Sequence, residues 1–203
     1  MDVTVVVATY GDLDCWGPLA DRAIASVAPD VPIVRVHGDT LDGARNEGLD
    51  LVTTEWVCHL DADDELEAGY FESMSVGACD VRAPAVRYVR GGHLRMVPYV
   101  PRVAGHDHDC TADCLDFGNW LIVGSVARTE LLRRVGGWRD FPWSEDWDLW
   151  VRCRHDGATF EAIPDAVYRA HVRSDSRNRA PARSEKLAAH QSIARANGLP
   201  VPA

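Results

Sequence analysis

The stretch Trp56-Val57-Cys58-His59-Leu60-Asp61-Ala62-Asp63-Asp64-Glu65 decides how this chain folds. Trp56 to Leu60 reads as a buried strand, and four carboxylates then follow within five positions. The acids therefore emerge where a strand meets a loop. Carboxylates crowded in this way raise one another's pKa unless a cation sits among them. A hard divalent ion held by oxygen ligands and substrate phosphates is the economical explanation, which implies an enzyme handling a nucleotide-activated substrate. The alternative is an acidic turn capping a helix over Leu66–Ser75, where each acid near the amino end contributes about 0.3–1 kcal/mol. Capping accounts for one or two acids, not four beside an apolar strand.

Working outward, Val3, Val5, Val6 and Val7 make Asp2–Ala8 a β-branched run suited to a parallel sheet covered on both faces. Trp16, Leu19, Ala20, Ala23, Ile24 and Val27 recur at helical spacing, and Pro29 ends that helix. Val31–Val36 reads as a strand. Leu41–Val52 carries Ala44, Leu49 and Val52 in a weaker helical pattern interrupted by glycines. Leu66, Tyr70, Phe71 and Met74 mark a further helix. This alternation predicts a doubly wound α/β fold with ligands at the carboxyl ends of the strands.

Beyond residue 80 the rhythm breaks. Asp80–Val89 and Leu94–Val100 are strand-like and joined across Gly91-Gly92. Pro101–Phe117 is a polar loop without periodicity, and Trp120–Gly124 reads as an apolar strand. Ala127–Val135 is a short helix closed by Gly136-Gly137. Ser144 is placed to cap a helix whose Trp147, Trp150 and Val151 form an apolar stripe. Thr159–Ile163 and Val167–Ala170 look like brief strands, and Arg183–Asn197 like a last amphipathic helix. With no internal repeat or low-complexity linker, residues 1–203 read as one domain. It divides into a nucleotide-binding half over about 1–79, an acceptor and catalytic half over about 80–182, and a C-terminal helix over about 183–197.

A formal net charge of −10 argues against a general binder of nucleic acid or anionic membrane. No apolar run approaches the roughly 20 residues that span a bilayer, so no integral membrane segment is expected. The start, Met1-Asp2-Val3-Thr4, lacks the basic stretch of a signal peptide, and a cytoplasmic location with six reduced cysteines is the expectation. Cys58 and Cys153 read as core residues. His106, His108, Cys110 and Cys114 could ligate zinc, but their spacing departs from ribbon and finger patterns. A polar acceptor-facing loop is the preferred role there.

In an extended segment Asp61 and Asp63, two residues apart, would share one face. The turn into Asp64-Glu65 must therefore aim one toward a nucleoside and ribose and the other, Asp63 by preference, toward a metal. Glu145 and Asp146 open a helix, where nearby N–H groups and the dipole favour an ionised carboxylate. Such a carboxylate can take the proton of an attacking hydroxyl; the alternative is a pair of first-turn acids that only stabilise the helix. Asp148 and Arg152, spaced i, i+4, read as a helix-surface pair. Trp138, Trp143 and Trp147 surround the acid pair and offer indole faces to a sugar, with core packing the equal alternative for Trp147.

Val5-Val6-Val7-Ala8-Thr9-Tyr10, Gly43-Ala44-Arg45-Asn46-Glu47-Gly48-Leu49 and Leu60-Asp61-Ala62-Asp63-Asp64 follow one another in an order that resembles the GT-A fold glycosyltransferases of family 2. Gly136-Gly137-Trp138, Ser144-Glu145-Asp146-Trp147-Asp148-Leu149-Trp150 and Tyr168-Arg169-Ala170-His171 continue the match, which runs from Val3 to about Ser176. The resemblance implies a Rossmann-like mixed central sheet with helices on both faces, and transfer of a sugar from a nucleotide diphosphate with inversion. It implies that Thr9 and Tyr10 touch the base, that Arg45 lies near the donor and Asp61 near ribose, and that Asp63 holds Mn2+ or Mg2+. His171 is similar in placement to a further metal or diphosphate contact, and Asp146 to the base, with Glu145 as its fallback. Arg45 could grip diphosphate with a bidentate fork, or form an ordinary helix-surface ion pair. Arg173 and Arg177 flank the loop after His171 and could reach phosphate.

The chain departs from that pattern in one place. His37-Gly38-Asp39-Thr40 runs directly into Asp42-Gly43-Ala44-Arg45-Asn46, so against that pattern the nucleotide-binding half reads as abbreviated by one strand–helix unit, with Asp39 as the candidate stand-in for the acid that reads the base. A UDP- or GDP-linked sugar is the expected donor; the acceptor, whether glycan, protein or small molecule, is open. No Gln-x-x-Arg-Trp segment of processive synthases occurs, which favours single transfer. A sugar nucleotidyltransferase would need a Gly-rich basic loop after the first strand, where this chain has the acidic Thr9-Tyr10-Gly11-Asp12-Leu13-Asp14. A noncatalytic nucleotide- or glycan-binding module is the alternative from another class. Self-association as a homo-oligomer is one way to supply acceptor surface.

Overall fold

The computed structural model describes residues 1–90, 111–173 and 182–202, together with the backbone of 93–96. The valine run forms β1 (Val3–Tyr10), flanked in parallel by β2 (Ile33–Gly38) and β3 (Trp56–Asp61). Val3, Val5, Val6 and Val7 are all buried, as a strand covered on both faces requires. The crossovers are α1 (Leu13–Ala25) and α2 (Leu41–Leu51). Thr40 caps α2 by accepting from Gly43 N at 3.2 Å. A β-carbon at Gly48 would overlap Val6 Cγ1, so the glycine that weakens the helical pattern is what lets α2 settle on the sheet. β2 is the edge strand and only Asp39 and Thr40 separate it from α2, so the abbreviated half is a plain feature of the topology.

On the other side of β3 the sheet turns mixed. β7 (Val126–Arg128) runs antiparallel to β3 and to β5 (Val81–Arg90), and β8 (Phe160–His171) pairs with β5 in parallel. β4 (Glu65–Leu66) closes the edge against β8, and β6 (His93–Met96) adds to β5. The order is β2-β1-β3-β7-β5-β8-β4. Thr159–Ile163 and Val167–Ala170, expected as two brief strands, fall, apart from Thr159, in the single strand β8, which shifts register opposite Pro84 and Ala85. Part of the strand expected over Leu94–Val100 is β6; residues 97–100, like Gly91 and Gly92, lie outside the described residues.

Three further expectations are corrected. Leu66 is a strand residue, and the helix after it, α3 (Tyr70–Met74), starts only behind Gly69. The acids at 61–65 therefore cap no helix. Trp120–Gly124 is not a strand: Trp120, Leu121 and Val123 are buried without ladder pairing, and Trp120 Nε1 donates to Thr111 O at 3.0 Å. A short apolar run signals burial, not sheet pairing. Pairing begins at Val126, and the helix α4 (Thr129–Arg134) is correspondingly shorter than the expected Ala127–Val135.

α5 (Glu145–His155) buries Trp147, Trp150 and Val151 as its stripe predicts. Asp148 and Arg152 are also buried, at 0% and 8% exposure, and do not form a surface pair. Arg152 donates to Asp148 and to the carbonyls of Val135 and Gly137, which ties α5 to the Gly-Gly turn. The last helix, α6 (Arg183–Ala196), docks beside α5, with Asn197 Nδ2 donating to Asp148 Oδ1 at 2.9 Å. Among the described residues no helix is long and apolar enough to cross a membrane.

Candidate active site

The carboxyl ends of β1 and β3 open into a cavity of about 440 Å³ walled by Thr9, Tyr10, Trp16, Asp61, Asp63 and His171, among others. Thr9 is buried, its hydroxyl donating to Val36 O at 3.2 Å and meeting His37 Nδ1 at 3.0 Å. Tyr10 stacks on Trp16 with ring centroids 6.4 Å apart, and the guanidinium of Arg173 lies 5.5 Å from the Trp16 ring centre. Helical spacing assigns Trp16 to the apolar stripe of α1; its half-buried indole does pack against the core and also lines the cavity. Asp39 does not join this wall. It is exposed and lines an adjoining cavity of about 270 Å³ with Tyr10 and Glu145.

The acidic loop is a tight turn, with Asp64 N donating to Asp61 O at 3.0 Å and Arg22 Nη2 donating to Asp63 O at 2.7 Å. Asp64 accepts from the Tyr168 hydroxyl at 2.8 Å and from His171 N at 2.7 Å. Burial, then the neighbouring charge of Asp61, raises the Asp63 carboxyl above its ordinary range. The same two causes, joined by Asp63, push Asp64 well above it. His171 Nε2 lies 2.6 Å from Glu65 Oε2. Burial would lift Glu65, but the bonds to His171 and Arg169 outweigh it and hold that carboxyl below its usual range.

Among the described residues no three His, Cys, Asp or Glu side chains converge into a ready-made metal cage. The loop nevertheless fits a divalent cation that arrives with its own phosphate oxygens, because Asp63 and Asp64 carry crowded carboxyls whose ionisation a cation would favour. Asp63, which lines the cavity, is the side chain that would hold such an ion. His171 has only its Nδ1 edge for a further contact, since Glu65 holds Nε2.

Arg45 closes the floor. Its side chain is 3% exposed and donates to Asp61 at 2.7 Å and to Glu145 at 2.9 Å, and it lies 4.2 Å from the Trp138 ring centre. Burial opposes its charge, but the two carboxylates prevail and raise its pKa. This is neither a helix-surface pair nor a fork held open for diphosphate: the fork is engaged by two acids 84 positions apart in sequence, Asp61 and Glu145. Trp138 Nε1 in turn donates to His59 Nε2 at 3.2 Å. Burial and the charge of Arg45 lower the His59 pKa to about 3, so this ring is neutral.

Behind the wall formed by Arg45, Asp61 and Asp64 lies a second cavity of about 410 Å³, lined by Asn119, Trp143, Glu145, Asp146, Lys186 and His190 among others. Asp146 Oδ1 accepts from Trp147 N at 2.9 Å and Oδ2 from Asn119 Nδ2 at 2.8 Å. Its position at a helix start was expected to keep it ionised. Burial and the charge of Glu145 outweigh Arg45 and the Trp147 N–H, and raise its pKa to about 7. Ser144 does not cap the helix through its side chain. It takes the left-handed conformation at φ 60°, and its hydroxyl lies 2.9 Å from His190 Nε2. A non-glycine residue held there stores strain of about 1–3 kcal/mol, a feature that concentrates at functional sites.

Of the residues predicted from sequence, Thr9, Tyr10, Arg45, Asp61, Asp63 and His171 share the first cavity, while Glu145 and Asp146 share the second. Trp138 and Trp147 are buried, and Trp143 faces the second cavity. His106, His108, Cys110 and Arg177 lie outside the described residues; Cys114 is buried in a 3-10 turn over Ala112–Asp116. Trp16, Asn119, Lys186 and His190 were missed, because nothing in local spacing distinguishes them from ordinary helix or loop residues.

Neither a protein-family profile nor a curated protein sequence matches the chain. Solved structures do. The Staphylococcus aureus TarS 1-349 structure in complex with UDP-GlcNAc aligns with a TM-score of 0.67 at 15% identity, covering 96% of this chain and 66% of that one. The UDP complex of TarS 1-349 gives 0.61 at 15% identity over 96% and 65%. Longer TarS gives 0.62 at 16% identity over 96% and 39%. The fold is the GT-A glycosyltransferase fold. The chain spans just under two thirds of TarS 1-349. Within this GT-A fold the first cavity sits at the carboxyl ends of the parallel strands, where open α/β sheets bind their ligands, and the second faces the start of α5.

Proposed function

We propose that the chain is a metal-dependent, inverting glycosyltransferase moving one sugar from a nucleoside diphosphate, UDP by preference and GDP otherwise, to an acceptor hydroxyl. The observation that carries this reading is the pair of cavities meeting at one wall of Arg45, Asp61 and Asp64. One holds crowded carboxyls suited to a cation and a diphosphate; the other holds a carboxyl whose pKa is matched to neutral pH. The likeness to TarS bound to UDP-GlcNAc and to UDP supports the same donor class.

In this mechanism the stacked Tyr10 and Trp16 border the nucleoside, and Asp61, fixed by Arg45, takes the ribose. Asp146 accepts the acceptor hydroxyl's proton as its oxygen bonds to the anomeric carbon from the face opposite the leaving group. The bond from that carbon to the diphosphate oxygen breaks, its electron pair leaves with the nucleoside diphosphate, and the configuration inverts. Arg173 offers charge to the departing diphosphate from the cavity wall. Mn2+ or Mg2+ held with the donor by Asp63, and by His171 through its remaining edge, would supply the main positive charge there.

Release of UDP from UDP-GlcNAc, and of GDP from GDP-mannose, tests the reading with and without Mn2+. Turnover that stops in EDTA supports it. Tight nucleotide binding without turnover under any condition would instead favour the noncatalytic module.

A further inference from the structure

We propose that Asn119 is the residue that positions the base: its amide fixes the Asp146 carboxylate so that one lone pair is presented to the acceptor cavity. The inference deepens the proposed reaction and rests on Asp146 being its base.

The amide of Asn119 has no freedom in its orientation. Leu121 N donates to Asn119 Oδ1 at 3.0 Å, so the oxygen is committed to the backbone and the NH2 must point the other way. There it donates to Asp146 Oδ2 at 2.8 Å, while Trp147 N holds Oδ1 at 2.9 Å. Each carboxylate oxygen thus spends one lone pair on a donor that cannot turn away, one of them backbone and the other clamped by backbone. The carboxylate cannot rotate without breaking one of these bonds. Asn119 and Asp146 both line the second cavity, so the remaining lone pairs are the ones an acceptor hydroxyl meets. The apolar neighbours Trp120 and Leu121 are buried and anchor the segment, which is why an unpaired stretch can hold an amide this firmly.

The bond also bears on charge. Asp146 is faced by Glu145 on its own helix, by Arg45 of α2, by Asp61 at the end of β3, and across the cavity by Asp64 of the acidic loop and by Lys186 and His190 of α6. Burial and the charges of Glu145 and Asp61 oppose ionisation, and Arg45 and the Trp147 N–H favour it. A donor on Oδ2 favours the ionised form as well. Without it Asp146 would stay protonated to higher pH and the fraction of competent base at neutrality would fall.

Two variants separate this role from mere packing. Asn119→Asp keeps the acceptor for Leu121 N and replaces only the donor by a like charge; Asn119→Ala removes both. The Asp146 carboxyl is titrated by 13C NMR in the UDP-bound protein, assigned by loss of its signal in Asp146→Asn. The acidic limb of kcat/KM for UDP release is followed in parallel. The expected result is an upward move of both by about one pH unit in Asn119→Ala and by more in Asn119→Asp, with UDP affinity unchanged. An unmoved carboxyl titration and acidic limb in either folded variant overturns the proposal. Wild-type turnover in Asp146→Asn would instead remove the base itself, so the two failures are distinguishable.

Discussion

Asn46 grips Trp138 by both backbone groups: its Nδ2 donates to Trp138 O at 2.9 Å and its Oδ1 accepts from Trp138 N at 2.8 Å. The pair joins the motif on α2 to the Gly136-Gly137-Trp138 turn across 92 positions. Gly137 is left-handed at φ 63°, and a β-carbon there would overlap Asn46 Oδ1, so the turn has room for this amide only with glycine. Both bonds lie beside the Arg45–Trp138 contact and hold the floor of the site. Asn46→Ala should lower stability by about 2–3 kcal/mol, since two buried backbone groups lose their partner. Urea unfolding checks this; a loss under about 0.5 kcal/mol would mean that the clamp is dispensable.

Arg45 gives a second prediction. Lysine retains the charge but cannot bridge Asp61 and Glu145 with a planar fork. Arg45→Lys should lower the melting temperature and weaken UDP binding together, because the same side chain orients Asp61 on the first cavity. Removal of the charge in Arg45→Ala leaves two acids without their buried cation and should cost about 3–5 kcal/mol. Calorimetric scans and UDP titrations on the three proteins test the pair of effects. Unchanged UDP affinity in Arg45→Lys would detach Asp61 from the donor.

Asp146, with a pKa raised to about 7, predicts the pH dependence. A base works ionised, so kcat/KM should fall as pH drops through about 7 and level off above it. Asp146→Asn should bind donor normally and turn over at least about 100-fold more slowly. The stability sign is opposite to that of a salt-bridged carboxylate. A raised folded pKa means that the native state binds more protons than the unfolded chain between the two values. The stabilisation from the protonated form is complete below the unfolded value near 3.8 and is lost as pH rises through about 7. Asp146→Asn should therefore gain on the wild type with rising pH across this window. A stability difference flat from pH 4 to 8 would contradict the assigned environment.

The parts of this architecture that are local in sequence could be read from it. β1 and β3 announce themselves as apolar runs, α5 by its Trp147, Trp150 and Val151 stripe, and the carboxyl edge by acids that no helix needs. The motif order placed eight side chains on two adjoining cavities, although Asp39 faces a third. What failed depends on distant partners. Trp120–Gly124 is apolar because it is buried and not because it pairs, and Leu66 joins β8 across a hundred positions. Asp148 and Arg152 fit a surface spacing equally well; only Asn197 and the carbonyls of Val135 and Gly137 show that they are interior. Asn119 carries no local signal, and the helical spacing of Trp16 marks only the stripe of α1; their places on the cavities come from elements folded against them.

The account rests most on Asp63. Calorimetric titration of UDP into wild type and Asp63→Ala, with Mn2+ and in EDTA, tests it most directly. The prediction is that Mn2+ tightens UDP binding to the wild type at least about 10-fold, about 1.4 kcal/mol, and that this gain disappears in Asp63→Ala while its affinity in EDTA stays near that of the wild type. Equal affinities with and without Mn2+ in the wild type, or an intact Mn2+ gain in Asp63→Ala, would contradict it.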